Sequence, residues 1–93
     1  MNYNQQKRKF IVRDPHGIHA RPAAMITKTA SIFESNIKIK NKKMIVNAKS
    51  ILSVLSLEAS FNSEVTITAN GNDAKEAVVA LEKVFSEFQN QED

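Results

Sequence analysis

Apolar and polar residues alternate along three stretches of the chain, and this period of two is typical of half-buried strands. Together with the short segment 44–48, they predict four strands, over 9–14, 36–42, 44–48 and 63–70. Between the second and third, the segment "NKK" at 41–43 predicts a hairpin turn. Because each strand has one apolar and one polar face, we expect a single antiparallel sheet with one covered face.

Three other segments have the apolar spacing of helices. The first is predicted from Ala20 to about Phe33, and the second over 49–58, where Ser50 is placed to cap it. The third follows Asp73, which has capping-box spacing to Glu76. The order β-α-β-β-α-β-α predicts an α+β fold, in which three helices cover one face of a four-stranded antiparallel sheet.

Composition narrows the class of protein. The 93 residues suit one domain, predicted over 8–88, with a flexible N-terminal extension at 1–7 and a loose tail at 89–93. Cysteine is absent, which excludes disulfides and thiol catalysis. The chain has neither a secretory signal nor an apolar run long enough to insert into a membrane, so we expect a cytoplasmic protein.

The segment "HGIHARPAA" at 16–24 carries the candidate chemistry. If a helix starts near His19, Pro22 lies in its first turn, where its missing N–H costs no hydrogen bond. The positive helix end attracts phosphate and disfavours a charged imidazolium, which favours a neutral, nucleophilic ring. Arg21 adds a charged donor for phosphate oxygens. Together they suit a histidine that accepts a phosphoryl group.

The residues alone leave two other interpretations of this segment open. His19 could be an ordinary histidine at a helix start, with Arg21 a solvated side chain. His16 and His19 could form part of a metal site, but no third ligand is marked, so we predict no metal.

The second helix has more apolar residues than one face of a short helix can bury. We expect Val54 and Leu57 to point inward and Ile51, Leu52 and Leu55 to keep exposed area, which would favour a docking surface. The alternative is a helix wedged into the core. The commonest reason for a serine at position 50 is that its hydroxyl caps the start of this helix.

The segment "GIHARPAA", followed by "NAKSILSVLSL" at 47–57, resembles the HPr family. These are the histidine-containing phosphocarriers of the bacterial phosphoenolpyruvate–sugar phosphotransferase system. The resemblance covers residues 8–88 and implies an open-faced β-sandwich. It implies that Enzyme I phosphorylates Nδ1 of His19, that Arg21 contacts the phosphoryl group, and that sugar-specific EIIA domains receive it.

The second motif resembles the Gram-positive type of HPr. The resemblance implies that an HPr kinase/phosphorylase modifies Ser50 and that Ile51, Leu52 and Leu55 dock partners. It also implies a monomeric carrier without a cofactor, which is not a turnover enzyme by itself. Glu58 and Ser53 depart from the pattern, since each stands where the family commonly has glycine.

Other functions remain as alternatives. The chain could be a regulatory carrier in a phosphotransfer branch that serves no sugar transport, or an interaction module that acts through the face around Ser50. Binding of nucleic acid is not expected. The net charge of +3 comes from scattered lysines, and most aromatic residues fall at predicted core or helix positions.

Overall fold

Four strands and three helices follow one another in the predicted order in a computed structural model that describes residues 4–88. The strands are β1 (Gln5–Ile11), β2 (Asn36–Asn41), β3 (Met44–Asn47) and β4 (Glu64–Asn70). The helices are α1 (Ala20–Ala30), α2 (Ile51–Ser56) and α3 (Ala74–Phe88). None of the helices in this part of the chain is long and apolar enough to span a membrane.

The strands form one antiparallel sheet in the order β1-β4-β2-β3. The last strand in sequence therefore lies inside the sheet, where Ile67 faces Arg8 of β1 on one side and Ile39 of β2 on the other. β2 and β3 form a tight hairpin in which Asn41 pairs with Met44. The predicted four-stranded antiparallel sheet is confirmed.

The two faces of the sheet differ in burial, as the alternation predicts. The inward residues of β2 and β4 are fully buried and pack with the helices in one core; they are Ile37, Ile39, Val65, Ile67 and Ala69. On the opposite face, lysines of β1 and β2 flank the threonines of β4; these residues are Lys7, Lys9, Lys38, Lys40, Thr66 and Thr68. The sandwich is therefore open on one side.

The first strand lies earlier in the chain than its hydrophobic pattern indicates. β1 spans Gln5–Ile11 rather than 9–14, because its polar N-terminal half pairs with the end of β4, with Gln5 opposite Asn70. Backbone pairing at a sheet edge does not require apolar side chains. Residues 5–7 of the expected flexible extension are thus part of the sheet, whereas residues 1–3 and the tail at 89–93 lie outside the described residues.

The segment between α1 and β2 also differs from the prediction. α1 ends at Ala30 rather than near Phe33, and the backbone N–H of Phe33 bonds to the carbonyl of Ala30 in a tighter turn. Asp73, expected to cap α3, directs its carboxylate to this segment and accepts hydrogen bonds from the backbone N–H groups of Glu34 and Ser35 and from the Ser35 hydroxyl. The Ser35 hydroxyl, followed by the Glu34 N–H, lowers the pKa of Asp73.

Candidate functional site

A compact turn precedes α1 and fixes where the helix begins. The backbone N–H of Gly17 donates to the carbonyl of Asp14 over 2.8 Å, and the N–H of His16 donates to Oδ1 of Asp14 over 2.8 Å. Gly17 has a φ of 72°, and a Cβ at this position would collide with the carbonyl oxygen of Ala59. Glycine is therefore required here, both for the backbone conformation and for the close approach.

His19 is the residue immediately before α1, as the sequence predicts. Its backbone is extended (φ −91°, ψ −167°), and its carbonyl accepts the N–H of Ala23 over 2.9 Å. Its side chain makes no capping hydrogen bond and is 38% exposed. Pro22 is buried in the first turn. The imidazole is thus accessible at the positive end of the helix rather than occupied in capping it.

The buried neighbour of His19 is Asp14, which sequence reasoning missed. Oδ2 of Asp14 lies 3.4 Å from Nε2 of His19, and the carboxylate side chain is only 8% exposed. An Asp that precedes Pro and Gly in a turn is a recognisable signal, since its side chain bonds the backbone two residues on. The ring therefore lies between the start of α1 and a buried carboxylate, whereas the sequence argument for a neutral imidazole considered the helix end alone. The neutral ring stays a prediction.

The other candidates near His19 are arranged around the same turn. Arg21 is exposed in the first turn of α1, where no acidic residue occurs. The exposed His16 places its ring perpendicular to that of His19, with 5.7 Å between the ring centroids. Within residues 4–88, no group of three or more His, Cys, Asp or Glu residues could hold a metal ion.

Helix α2 begins at the predicted cap and divides its apolar residues as expected. Oγ of Ser50 accepts the N–H of Ser53 over 3.3 Å. Val54 and Leu57 are buried, and the other three apolar residues keep exposed area: Ile51 (38% exposed), Leu52 (76%) and the partly buried Leu55. These three form what we call the α2 face. Its exposure is confirmed; its role in docking stays a prediction.

The loop after α2 is hydrogen-bonded to the segment that precedes His19. The carbonyl of Ala59 accepts the N–H of Ile18 over 2.9 Å, so this loop lies beside the residue before His19. At Glu58 the backbone has a φ of 51°, the conformation that favours glycine. Glu58, which stands where the family commonly has glycine, therefore keeps the left-handed backbone conformation. Its N–H bonds to the Leu55 carbonyl over 3.1 Å.

Comparison with known families identifies the family to which this chain belongs. The sequence model described as "PTS HPr component phosphorylation site" matches residues 6–87. The chain belongs to the HPr family. HPr proteins are phosphocarriers of the phosphotransferase system, so the family resemblance noted from the two motifs is confirmed.

Individual HPr relatives agree with this assignment. A multiphosphoryl transfer protein of Vibrio cholerae is 43% identical over an alignment of 75 residues, and the match covers 77% of this chain but 19% of that protein. The chain thus spans about a fifth of that relative. A crystal structure of HPr from Thermoanaerobacter tengcongensis has a TM-score of 0.88 at 36% identity, and the alignment covers 94% of this chain and 98% of that protein's chain. A histidine-containing phosphocarrier protein from Mycoplasma has a TM-score of 0.87 at 38% identity, covering 90% and 96%. The open-faced β-sandwich is therefore the HPr fold.

Proposed function

We propose that His19 is the phosphoryl acceptor of this HPr, receiving the group from phospho-Enzyme I and passing it to sugar-specific EIIA domains. The observation that carries the proposal is the position of His19. It lies within the matched family segment, directly before α1, with a partly exposed ring that takes no part in capping the helix. The imidazole is therefore free to meet a phosphoryl donor at the positive end of the helix.

The proposed transfer uses the two ring nitrogens differently. Nε2 faces the carboxylate of Asp14, so Nδ1 is the nitrogen available for attack on phosphorus. A bond forms between Nδ1 and phosphorus while the bond between phosphorus and the donor breaks, its electron pair leaving with the donor. Arg21, whose guanidinium suits phosphate oxygens, stabilises the charge on the group in transit.

Partner binding is assigned to the α2 face, formed by Ile51, Leu52 and Leu55. Apolar side chains this exposed are typical of interaction sites when they are grouped together. The loop after α2 is hydrogen-bonded to the turn before α1 through Ala59 and Ile18. A partner seated on α2 would therefore reach the phosphoryl site with the same surface.

Regulation through Ser50 is the second part of the proposal. Ser50 is partly exposed and lies next to the α2 face, so a phosphate there adds about two negative charges beside the proposed docking surface. Phosphorylation by an HPr kinase/phosphorylase would then reduce docking by Enzyme I through repulsion, without unfolding α2. In this scheme the protein is a cytoplasmic, monomeric carrier that needs no cofactor and is not a turnover enzyme by itself.

One labelling experiment tests the central claim. The protein is incubated with Enzyme I and phosphoenolpyruvate, and we expect it to gain one acid-labile phosphate on His19. An interaction module acting through Ser50 would bind partners without gaining this label. A carrier in a branch without sugar transport would be labelled by its own Enzyme I-type donor but would fail to phosphorylate a sugar-specific EIIA domain.

A further inference from the structure

The carboxylate of Asp14 has two different partners, and this arrangement carries an inference about the reacting ring. Oδ1 accepts the backbone N–H of His16 over 2.8 Å, while Oδ2 lies 3.4 Å from Nε2 of His19. The Asp14 side chain is only 8% exposed, whereas the His19 side chain is 38% exposed. One end of the contact is therefore fixed inside the protein and the other reaches the surface.

We propose that Asp14 is a positioning residue that selects the reactive tautomer of His19. A carboxylate is only an acceptor, so the ring nitrogen that faces it must carry the proton. With the proton on Nε2, the lone pair lies on Nδ1, which is the form needed for nucleophilic attack. This inference rests on the proposed function, because it assigns a role toward phosphoryl transfer at the same histidine.

The backbone bond from His16 makes Asp14 suitable for this role. It fixes the carboxylate within the turn, so that Oδ2 is held toward the ring rather than rotating into solvent. During transfer, the Nδ1–phosphorus bond forms, the donor–phosphorus bond breaks, and the Nε2 proton stays in place. The ring then gains positive character beside a carboxylate, which stabilises the phosphorylated ring electrostatically.

An amide at position 14 separates this role from a structural one. In Asp14→Asn, the amide oxygen can still accept the His16 N–H, but the NH₂ group then faces Nε2 and donates to it. This favours a ring protonated on Nδ1, the wrong tautomer for attack. In Asp14→Ala both contacts are lost and neither tautomer is imposed. A tautomer role therefore makes Asn at least as harmful as Ala, whereas a structural role makes Ala the worse substitution.

The experiment measures the tautomer and the transfer rate in the same set of variants. Ring ¹⁵N shifts of His19 are recorded well above the ordinary titration range of histidine, where the ring is neutral. We expect the Nε2–H form in the wild-type protein and a rise of the Nδ1–H form in Asp14→Asn. Transfer from phospho-Enzyme I should fall roughly ten- to a hundredfold in Asp14→Asn, the range by which outer partners of a histidine contribute at metal sites.

Asp73→Asn is the matched control, because Asp73 is a second loop carboxylate that accepts backbone N–H groups, but from Glu34 and Ser35. Its loss should leave the His19 tautomer unchanged. An unchanged tautomer in Asp14→Asn, or a transfer rate lower in Asp14→Ala than in Asp14→Asn, would overturn the assignment. If the wild-type protein takes no label at all, the proposed function fails instead, and the ¹⁵N shifts still decide whether Asp14 selects the tautomer.

Discussion

Helices α1 and α2 both begin after a residue with extended backbone, but their N-cap side chains are used differently. Ser50 accepts the N–H of Ser53 and so satisfies part of its own helix. His19 makes no such bond; its ring faces Asp14 and remains partly exposed. Capping usually stabilises a helix by about 1 kcal/mol. Of these two helix starts, the one where we place the chemistry therefore lacks a side-chain cap and the other has one.

The two helix starts also differ in the residues that surround them. The turn before α1 is held by Asp14 and Gly17, independently of the His19 ring. The start of α2 is followed at once by the exposed Ile51 and Leu52. We infer that the first site is built for a small group and the second for a macromolecular surface.

Replacing His19 by Ala should abolish labelling by Enzyme I and phosphoenolpyruvate, because the nucleophile is lost. Because the side chain makes no cap bond, and Asp14 keeps its hydrogen bond from the His16 N–H when the ring is removed, the free energy of unfolding should change by less than about 0.5 kcal/mol. The control is His16→Ala, which removes the neighbouring exposed ring and should still be labelled. Label that persists without His19, or that disappears only without His16, would place the acceptor elsewhere.

Replacing Arg21 by Ala should slow phosphoryl transfer by about tenfold or more, since a charge-assisted hydrogen bond to the phosphoryl group is worth roughly 1.5–3 kcal/mol. The side chain is exposed, so stability should change by under about 0.5 kcal/mol. Rapid-quench kinetics measure the rate, with Lys28→Ala in the last turn of α1 as the control. A rate equal to that of the control would remove Arg21 from the site.

Replacing Leu52 by Glu should weaken binding of Enzyme I or EIIA by about tenfold, the effect of losing about 1.4 kcal/mol of apolar contact in an interface. At 76% exposure, Leu52 contributes little to the core, so the fold should persist. Val79→Glu is the matched control: this residue of α3 is 52% exposed. Calorimetric titration measures the affinities, and circular dichroism the fold. If the Leu52 variant unfolds, the result would instead favour the alternative in which α2 is packed into the core and offers no docking surface.

The order of the elements was predictable because alternation and helical spacing identify strands and helices without knowledge of their neighbours. The strand Gln5–Ile11 was misplaced because its polar half is held by pairing with β4, and the pattern of one segment contains no information about its partner. The place of His19 directly before α1 could be predicted from its local motif. Its contact with Asp14 could not, because the distance between Oδ2 and Nε2 depends on the turn at Gly17 and on the approach of Ala59.

The smallest effect is expected at Ser50, and it tests the comparison of the two helix starts most directly. Ser50→Ala removes the acceptor for the Ser53 N–H and should lower the free energy of unfolding by about 1 kcal/mol. Ser50→Asp keeps an acceptor at the cap and should retain stability, while its charge, close to Leu52, should weaken Enzyme I binding. The control is Ser56→Ala, which removes an exposed hydroxyl that donates to the Ser53 carbonyl at the other end of α2.

Chemical denaturation of these variants and of His19→Ala gives the ranking that decides the matter. We expect Ser50→Ala to be the most destabilised of the three alanine variants, because only its side chain caps a helix. If His19→Ala costs as much stability as Ser50→Ala, then His19 supports its helix after all, and the two helix starts do not differ as argued. If Ser50→Ala costs no more than Ser56→Ala, the cap at α2 contributes little. The two helix starts would then not differ in capping.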